Sequence, residues 1–493
     1  MRPVRIVLVN VGFRLPLYPL VTPPLGIMYL AAYLRTRFDA EFLLINQKLN
    51  NVPDDEVVKQ AAAFEPDVVG LSVMTPAAYH LPRLTAGLKA ALPNALVALG
   101  GPHVSAFGCH VLRQSQADAA LPGEGELGTE MLLRALQEGA GLESVPGLFW
   151  RDEDGGIVVN PGAAPLIDDL DSLPFPAYDL IDLPAYWRRQ GIAPIPRRKY
   201  ASLFSSRGCP YSCNYCHNIF GKRKRKHSAE RIVEEAAYYQ KQYGIHEIEF
   251  FDDIFNLDHK RLMRFCELMT SAEQPLKFSF PTALRTDILR DEEIDALADA
   301  GMYYCGFALE SGSPRLQKLM GKNLDIDKFV DNVNKVAAKG IYTNGFAMLG
   351  FPSETEEEML RTVDVACATD LHTISFFTVT PFPGTELYRS VRALFPERIR
   401  DVVYDNLDFS SFTANLSDVP DDRFYQIQRE ANRRFFFNPK RILRILRDYP
   451  KPLLLPLYIP PFIKRATKGL LWGASTPPVV GESEPPSQRD ECV

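Results

Sequence analysis

The chain has 493 residues, of which 46% are hydrophobic and 24% are charged, and its formal net charge at pH 7 is -6. This composition is ordinary for a globular protein of two or three domains, and the negative charge argues against a protein that coats nucleic acid. No signal peptide and no run of about 18 apolar residues is visible. We therefore expect a cytoplasmic protein without a spanning helix.

Short apolar runs in residues 1–145 predict buried strands. The runs are residues 6–9, 42–45, 68–73 and 95–99. Each precedes a helical pattern or a Gly/Pro turn, which favours a parallel sheet covered by helices on both faces. Ligands of such sheets bind beyond the carboxyl ends of the strands. We predict a doubly wound, Rossmann-like first domain with its binding site in these turns.

The turns at the predicted strand ends carry glycines, hydroxyl groups and a few other polar side chains. The candidate binding residues there are Thr22, Pro24, Gly26, Ser72, Thr75, Gly100, Gly101, His103, Gly123 and Glu124. A glycine at a strand end often does no more than permit a tight turn, so each turn alone is weak evidence for a site.

Residues 146–195 are proline-rich and predict an extended connector. From residue 196 to residue 390, strand and helix patterns alternate again in six units, and several of the strands end at polar residues. Six such units predict a partial parallel (β/α)6 barrel with its functional side chains on the loops at the carboxyl ends. The fold class is therefore α/β in both parts.

Three cysteines lie in one window of the central region: Cys209, Cys213 and Cys216, spaced C-x-x-x-C-x-x-C. Cysteine thiolates are the usual ligands of iron–sulfur clusters, and four of them normally hold a four-iron cluster. Three thiolates leave one iron open for a small molecule. Zinc is the alternative, but its fourth ligand would have to be His217, in strained local geometry. The spacing therefore favours a 4Fe-4S cluster with one open iron.

The cysteine window and the strand ends around it closely resemble the radical S-adenosylmethionine (SAM) enzymes. The segment from Pro23 to Arg35 and the Gly100–His103 turn, placed ahead of the cysteines, are similar to the cobalamin-binding domain fused to one branch of that family. That branch includes class B methyltransferases and anaerobic oxidative cyclases. The resemblance covers residues 1 to about 390, and it implies three cofactors: a 4Fe-4S cluster, SAM and cobalamin. The alternative is a first domain that has lost the ability to bind cobalamin but has kept the fold.

The resemblance also implies which residues contact SAM. The corresponding positions are Tyr215, Asp252, Asp253, Arg285, Glu310 and Ser311. Acidic side chains suit the ammonium, sulfonium and ribose hydroxyls of SAM, an arginine suits its carboxylate, and the tyrosine corresponds to the aromatic residue near adenine. An aspartate pair can instead cap a helix, and Glu354 is open between a helix cap and support of the SAM site.

Many cobalamin proteins offer a histidine to cobalt from the string Asp-x-His-x-x-Gly, which is absent here. Related sequences keep the Gly-Gly-Pro-His turn without using its histidine on cobalt. Although His103 remains a candidate cobalamin contact, the resemblance therefore implies a lower face of cobalt with no histidine, or with water.

The reaction that the resemblance implies is methylation of an unactivated carbon. One SAM methylates cobalamin, and a second gives a 5'-deoxyadenosyl radical that removes hydrogen from a small-molecule substrate. Oxidative cyclisation or ring rearrangement is the first alternative, and a non-catalytic iron–sulfur or cobalamin sensor is the second. The implied partner is a reductant such as flavodoxin or ferredoxin, not nucleic acid. The sequence identifies no catalytic acid or base and no oligomeric state.

After residue 390 the strand pattern stops, and residues 391–473 predict a mainly helical region. Residues 439–447 mix basic and apolar side chains at helical spacing. Such a helix either lies on an anionic membrane, which would suit a lipid-like substrate, or caps the barrel. The Pro-, Ser- and Glu-rich tail at 474–493 predicts disorder. The basic run 222–227 predicts a solvated or cofactor-facing loop, because no aromatic platform for nucleic acid accompanies it.

Overall fold

A computed structural model describes residues 2–14, 19–195, 198–217, 219–400, 402, 404, 405, 407 and 414–457. The predicted tail at 474–493 and the last part of the predicted helical region lie outside the described residues. The architecture is α/β, with an N-terminal parallel sheet, a six-stranded open barrel and a helical C-terminal region. The predicted fold class is confirmed.

The first sheet has seven strands in the order β2-β1-β3-β4-β5-β6-β7. These strands are β1 Val4–Asn10, β2 Ala40–Asn46, β3 Val68–Ser72, β4 Leu96–Gly100, β5 Ala119–Ala120, β6 Phe149–Arg151 and β7 Ile157–Val159. The first five are parallel, and β1 lies between β2 and β3, which creates a topological switch point where ligands of doubly wound sheets bind. The four predicted runs form β1 to β4.

Helices cover both faces of this sheet. They are α1 Leu25–Arg35, α2 Gln47–Asn50, α3 Asp54–Phe64, α4 Leu81–Ala91, α5 Pro102–Phe107, α6 His110–Arg113 and α7 Gly125–Glu138. Alternation along β1 divides its side chains between the two faces: Val7 and Val9 join the core under α3 and α4, whereas Ile6 and Leu8 join the core that includes α1. The alternation explains why the strand reads as a continuous apolar run.

The predicted connector, residues 146–195, contributes structure to both neighbouring sheets. The hairpin of β6 and β7 pairs with β5 and extends the first sheet. Farther on, α8 spans Leu183–Trp187, and short 3-10 helices span Leu170–Ser172 and Tyr178–Leu180. The Tyr178 hydroxyl accepts a hydrogen bond from the Ser202 amide at 2.7 Å, which ties the connector to the barrel.

The central sheet has six parallel strands in the order β15-β14-β13-β12-β11-β8, and β8 and β15 form its two edges. Its strands are β8 Tyr200–Leu203, β11 Glu247–Phe250, β12 Lys277–Leu284, β13 Met302–Glu310, β14 Tyr342–Leu349 and β15 Thr373–Thr378. A small hairpin, β9 Ser206–Arg207 and β10 Arg225–Lys226, interrupts the first unit. The helices between strands are α9 Ala229–Tyr243, α10 His259–Thr270, α11 Asp291–Asp299, α12 Pro314–Leu319, α13 Ile326–Ala338 and α14 Glu356–Ala368.

One hydrophobic core runs through the first sheet, the connector and the barrel. It contains Met28 of α1, Tyr178 of the connector, Leu203 of β8 and Phe250 of β11. The helical face of the barrel therefore packs directly against one face of the first domain, and the two parts share buried surface.

The C-terminal region contains α15 Glu386–Leu394, α16 Pro396–Arg400, α17 Asp421–Phe436, α18 Pro439–Asp448 and a 3-10 helix Pro452–Leu457. Helix α17 lies against α14 and β15 with an apolar face that includes Phe424, Ile427 and Phe435. Among the described residues, no helix is both long and apolar enough to span a bilayer.

Candidate active site

The cysteine loop grows from the β9–β10 hairpin, where Arg207 lies opposite Arg225. Gly208 begins the loop with φ +87°, and a Cβ there would lie 2.6 Å from the Arg223 carbonyl oxygen, so the close approach requires glycine. The middle of the loop, at Asn214, is held by backbone hydrogen bonds to two neighbouring segments. The Asn214 amide donates to the Met320 carbonyl at 2.9 Å, and the Leu387 amide donates to the Asn214 carbonyl at 2.8 Å.

The three thiols lie close enough to oppose one another's ionisation. Burial, the Cys213 thiol and the Asp253 carboxylate raise the pKa of Cys216 to about 12, and burial raises the pKa of Cys209. Within the described part of the chain, no three His, Cys, Asp or Glu side chains are grouped tightly enough to hold a metal ion. Neighbouring thiols ionise when a cation joins them, so the donor set suits iron, provided that the loop brings the three sulfur atoms closer together.

The two adjacent aspartates after β11 have different environments. Asp252 is buried under the cysteine loop, where it accepts hydrogen bonds from the Ser205 amide at 2.6 Å and the Ser206 hydroxyl at 2.7 Å. Asp253 is open to solvent at the cleft and accepts from the Gly208 amide at 3.2 Å. Although Asp253 keeps an exposed surface, the protein around it partly desolvates the carboxylate, and this desolvation and the charge of Asp252 raise the pKa of Asp253 to about 6. Only Asp253 is therefore accessible to a ligand.

Glu310 connects the end of β13 to the cysteine loop. Its Oε1 accepts from the Tyr215 hydroxyl at 3.2 Å and from Lys322 Nζ at 3.2 Å. Glu310 has a φ of +63°, which is unfavourable for a residue other than glycine and which redirects the chain at the strand end. The structure thus brings together Tyr215 and Glu310, two of the predicted SAM contacts, and adds Lys322, which the sequence analysis missed.

Two other predicted SAM contacts are occupied by the protein itself. Arg285 stacks on the Tyr211 ring at 3.9 Å and donates to both carboxylate oxygens of Asp287, at 2.8 and 3.1 Å. Ser311 is fully buried, and its hydroxyl accepts from the Ser313 amide at 3.1 Å. Ser311 is therefore enclosed by protein, whereas Arg285 is half-buried and uses Nε and Nη2 in its contacts with Asp287 and the Lys322 carbonyl.

Glu354 folds back on its own turn. Its Oε2 accepts from the Gly350 and Phe351 amides at 2.6 and 2.9 Å, whereas Thr355 caps α14. Its Oε1 is buried and has no hydrogen-bond partner in the described structure. Burial raises the pKa of Glu354 to about 8, so the side chain is mostly protonated at neutral pH. Thr355 thus takes the place of the helix cap, and Glu354 braces the turn after β14, so support of the SAM site stays a prediction.

The turns at the carboxyl edge of the first sheet pack closely. Gly101 has φ +92°, and a Cβ there would lie 2.9 Å from the Val73 amide nitrogen. The His103 ring is buried, with Nδ1 3.4 Å from the Thr75 hydroxyl, and burial lowers the pKa of His103 to about 4. The ring is therefore neutral and enclosed, and it does not present itself at the edge as a ligand.

The remaining predicted cobalamin contacts lie on the same edge. Ser72 ends β3, Gly100 ends β4, Gly123 precedes α7, and Thr22 and Pro24 lead into α1. A Cβ added at Gly26, which is exposed, would meet nothing within 4 Å. The backbone at Gly26 is therefore open to close approach by a ligand at the start of α1, as the binding of a ligand at this edge would require.

Glu124 joins the first domain to the cysteine loop. It is buried and accepts from Arg207 Nη1 at 3.0 Å and Arg225 Nη1 at 3.0 Å, while Glu126 accepts from Arg207 Nη2 at 2.6 Å. We call these four side chains the interdomain ion network. It holds both strands of the hairpin that carries the cysteines, so Glu124 binds protein where the sequence suggested a cobalamin contact. No local sequence signal marks such a long-range pairing.

The basic run 222–227 is largely bound to protein. Arg223 pairs with Asp168, Lys226 pairs with Asp258, and Lys224 Nζ donates to the Ile254 carbonyl at 2.6 Å. Arg225 belongs to the interdomain ion network. These contacts join the base of the cysteine loop to the connector and to the segment after β11, while Lys222, Arg223 and Lys226 stay exposed to solvent. The predicted solvated or cofactor-facing loop is thus solvated in part, and its contact with a cofactor stays a prediction.

Loops at the carboxyl ends of the two sheets contact each other beside the cysteine loop. A Cβ added to Gly384, in the turn after β15, would lie only 3.2 Å from the Cα of Ala106 in α5. Together with the interdomain ion network, this contact places the ends of the first sheet beside the loops that surround the cysteines. A ligand on one edge is therefore close to a ligand on the other.

Comparison with known proteins gives matches for both parts of the chain. Residues 203–366 match the family model of the radical SAM superfamily, and residues 17–133 match that of the B12 binding domain. An uncharacterised methyltransferase of Pyrococcus horikoshii is 30% identical over 91% of this chain and 93% of its own length. An anaerobic magnesium-protoporphyrin IX monomethyl ester cyclase of Rubrivivax gelatinosus is 26% identical over 84% of this chain and 74% of its own.

The fold is also similar to a solved structure. The cobalamin-dependent SAM radical enzyme OxsB, with aqua-cobalamin and SAM bound, superposes with a TM-score of 0.70 and 19% identity. The match covers 87% of this chain and 66% of the OxsB chain. The likeness extends over both sheets, so their mutual arrangement follows the same fold.

Proposed function

The chain belongs to the radical SAM enzymes that carry a B12-binding domain, and we propose that within this family it methylates an unactivated carbon. It is an enzyme whose cofactors are a 4Fe-4S cluster, SAM and cobalamin. This membership argues against the alternative of a non-catalytic sensor. The proposal is the finer assignment, namely that the methyl group is transferred to an unactivated carbon of a small molecule.

When bound, the cluster and SAM supply a 5'-deoxyadenosyl radical that removes a hydrogen atom, and cobalamin supplies a methyl group. The protein binds and orients these groups and excludes water. Cys209, Cys213 and Cys216 are the proposed cluster ligands, because they share one loop and crowd one another. Three ligands leave the fourth iron to SAM.

Asp253, Glu310 and Tyr215 are the proposed SAM contacts. Asp253 is accessible beside the cysteines, and Glu310 has its second carboxylate oxygen unused in the hydrogen bonds to Tyr215 and Lys322. Carboxylates suit the ammonium and hydroxyl groups of SAM. Asp252, Arg285 and Ser311, which bond to protein, act by holding the loops in place.

The observation that carries the two-cofactor proposal is the interdomain ion network. It fixes the carboxyl edge of the first sheet to the hairpin of the cysteine loop through buried, charge-assisted hydrogen bonds. Two cofactors that act on one substrate must be held at a fixed distance from each other, and the interdomain ion network provides this restraint. The methyltransferase relative, matched over 93% of its length, supports methylation as the outcome.

Isotope transfer tests the proposal. The reconstituted enzyme is incubated anaerobically with methyl-deuterated SAM, a flavodoxin reducing system and a small-molecule extract, and products are followed by mass spectrometry. We expect deoxyadenosine together with a product that retains the deuterated methyl group. Deoxyadenosine accompanied only by unlabelled new products would instead assign oxidative cyclisation or rearrangement, the second candidate, which the cyclase relative favours.

A further inference from the structure

Helix α18 has one face bound to the barrel. Arg441 is buried, and its guanidinium donates to the carbonyl oxygens of Thr369 at 3.1 Å and Cys367 at 3.2 Å. At the end of the helix, Asp448 accepts from His372 Nε2 at 3.0 Å. These partners precede β15, so the helix lies at the amino ends of the barrel strands, away from the cysteine loop. This face caps the barrel, as one of the two sequence interpretations predicts.

The opposite face of α18 is apolar and exposed. Ile442, Leu443 and Leu446 keep 46%, 69% and 53% of their surface exposed, and Leu453, just beyond the helix, keeps 92%. At 100° per residue, the three helix positions form one continuous arc. We call these four side chains the apolar ridge. Single exposed leucines are common, but three exposed apolar side chains on one arc of a helix mark an interaction surface.

The segment that carries the ridge is rich in cations. Between residues 433 and 457 the only acidic residue is Asp448, and the cations are Arg433, Arg434, Lys440, Arg441, Arg444, Arg447 and Lys451. Arg434 and Arg444 pair with Asp364 and Asp370 on the barrel, and Arg447 pairs with Asp448. In the described structure, the exposed side chains of Arg433 and Lys440 make no ion pair. Arg441 is buried against the barrel and Lys451 pairs with Glu247, so the cations left unpaired among the described residues of this segment are Arg433 and Lys440, and Lys440 stands at the start of α18.

We propose that the apolar ridge binds the surface of an anionic lipid bilayer. An amphipathic helix with leucines on one arc and cations at its borders lies in the interface, with the apolar arc among acyl chains and the cations at the headgroups. A second copy of the chain is a poorer occupant, because a two-fold contact would bring the two cationic borders together. Bound in this way, the protein keeps the carboxyl ends of its barrel strands directed away from the bilayer.

Vesicle flotation tests the proposal with the full-length protein. We expect it to float with vesicles of phosphatidylglycerol and phosphatidylcholine at low salt, and far less with phosphatidylcholine alone or at high salt. Leu443→Asp should reduce the bound fraction by at least about tenfold, because the change places a charge where a leucine enters the bilayer. Leu394→Asp is the matched control, since Leu394 is 70% exposed on α15, and it should bind as the unchanged protein does.

Melting temperatures of both variants establish that they fold, which is expected because neither side chain packs in a core. Absence of binding to anionic vesicles at low salt would overturn the proposal. So would equal binding by the two variants. A dimer seen by light scattering without lipid and dissociated by Leu443→Asp would show that the ridge joins two copies instead.

Discussion

Among single residues, the three cysteines are the proposed cluster ligands, on which the radical chemistry would depend. Cys213→Ala removes one of three proposed ligands, and two thiolates are too few for a four-iron cluster. We predict loss of the broad visible absorbance of the reconstituted cluster and of deoxyadenosine formation. Cys367→Ala, at a half-buried cysteine outside the loop, should leave both unchanged. An intact, SAM-cleaving cluster in the Cys213 variant would refute the ligand assignment.

Glu354 should make stability depend on pH. Its folded pKa is about 8, above the ordinary value of 4.5, so the folded state holds a proton that the unfolded state has released. The contribution of Glu354 to the free energy of unfolding is therefore greatest below about pH 4.5 and declines as the pH rises to about 8, by up to about 1.4 kcal/mol per pH unit.

Glu354→Gln tests this directly, because the amide oxygen can still accept from the Gly350 and Phe351 amides without a charge. We predict that the variant loses much of the decline in unfolding free energy between pH 5 and pH 8, measured by denaturant titration at several pH values. An unchanged pH profile would show that Glu354 is ionised in the folded protein.

At the scale of structural elements, the β9–β10 hairpin depends on the interdomain ion network. Glu126→Gln weakens the Arg207 contact while Glu124 remains, so folding should survive, whereas the cysteine loop becomes less restrained. We predict faster hydrogen exchange in residues 208–224 and fewer methyl transfers per deoxyadenosine formed. Glu235→Gln, which alters an equally buried carboxylate on α9, is the control and should change neither. Equal effects of both substitutions would indicate only general destabilisation.

At the scale of the whole molecule, the shared core predicts a single cooperative unit. Met28, Tyr178 and Leu203 belong to one buried cluster, so neither part can unfold without exposing apolar surface of the other. We predict one calorimetric transition for the apo chain, shifted to higher temperature when cobalamin binds the folded state. Two well-separated transitions, of which only the first responds to cobalamin, would contradict this.

The sequence predicts most strands and the edge on which the site lies, because apolar runs and strand-end polar residues are local signals. It does not separate Asp252 from Asp253, although side-chain alternation offers a signal that adjacent residues point in different directions. It also assigns Glu124 to cobalamin, because an acidic residue in a glycine turn looks available until its distant partners, Arg207 and Arg225, are seen. Ion pairs between residues that are distant in the chain leave no repeating pattern in the sequence, so they cannot be predicted from it.

The hairpin that carries the cysteines is anchored by side chains other than the proposed cluster ligands. Its two strands are fastened to the first domain by carboxylates, and its far side by backbone bonds to the segments after β13 and β15. Exposure to oxygen during purification should therefore destroy the cluster but leave the cysteine loop folded and able to bind a new cluster. Preparations made in air should be recoverable by anaerobic repair, without refolding.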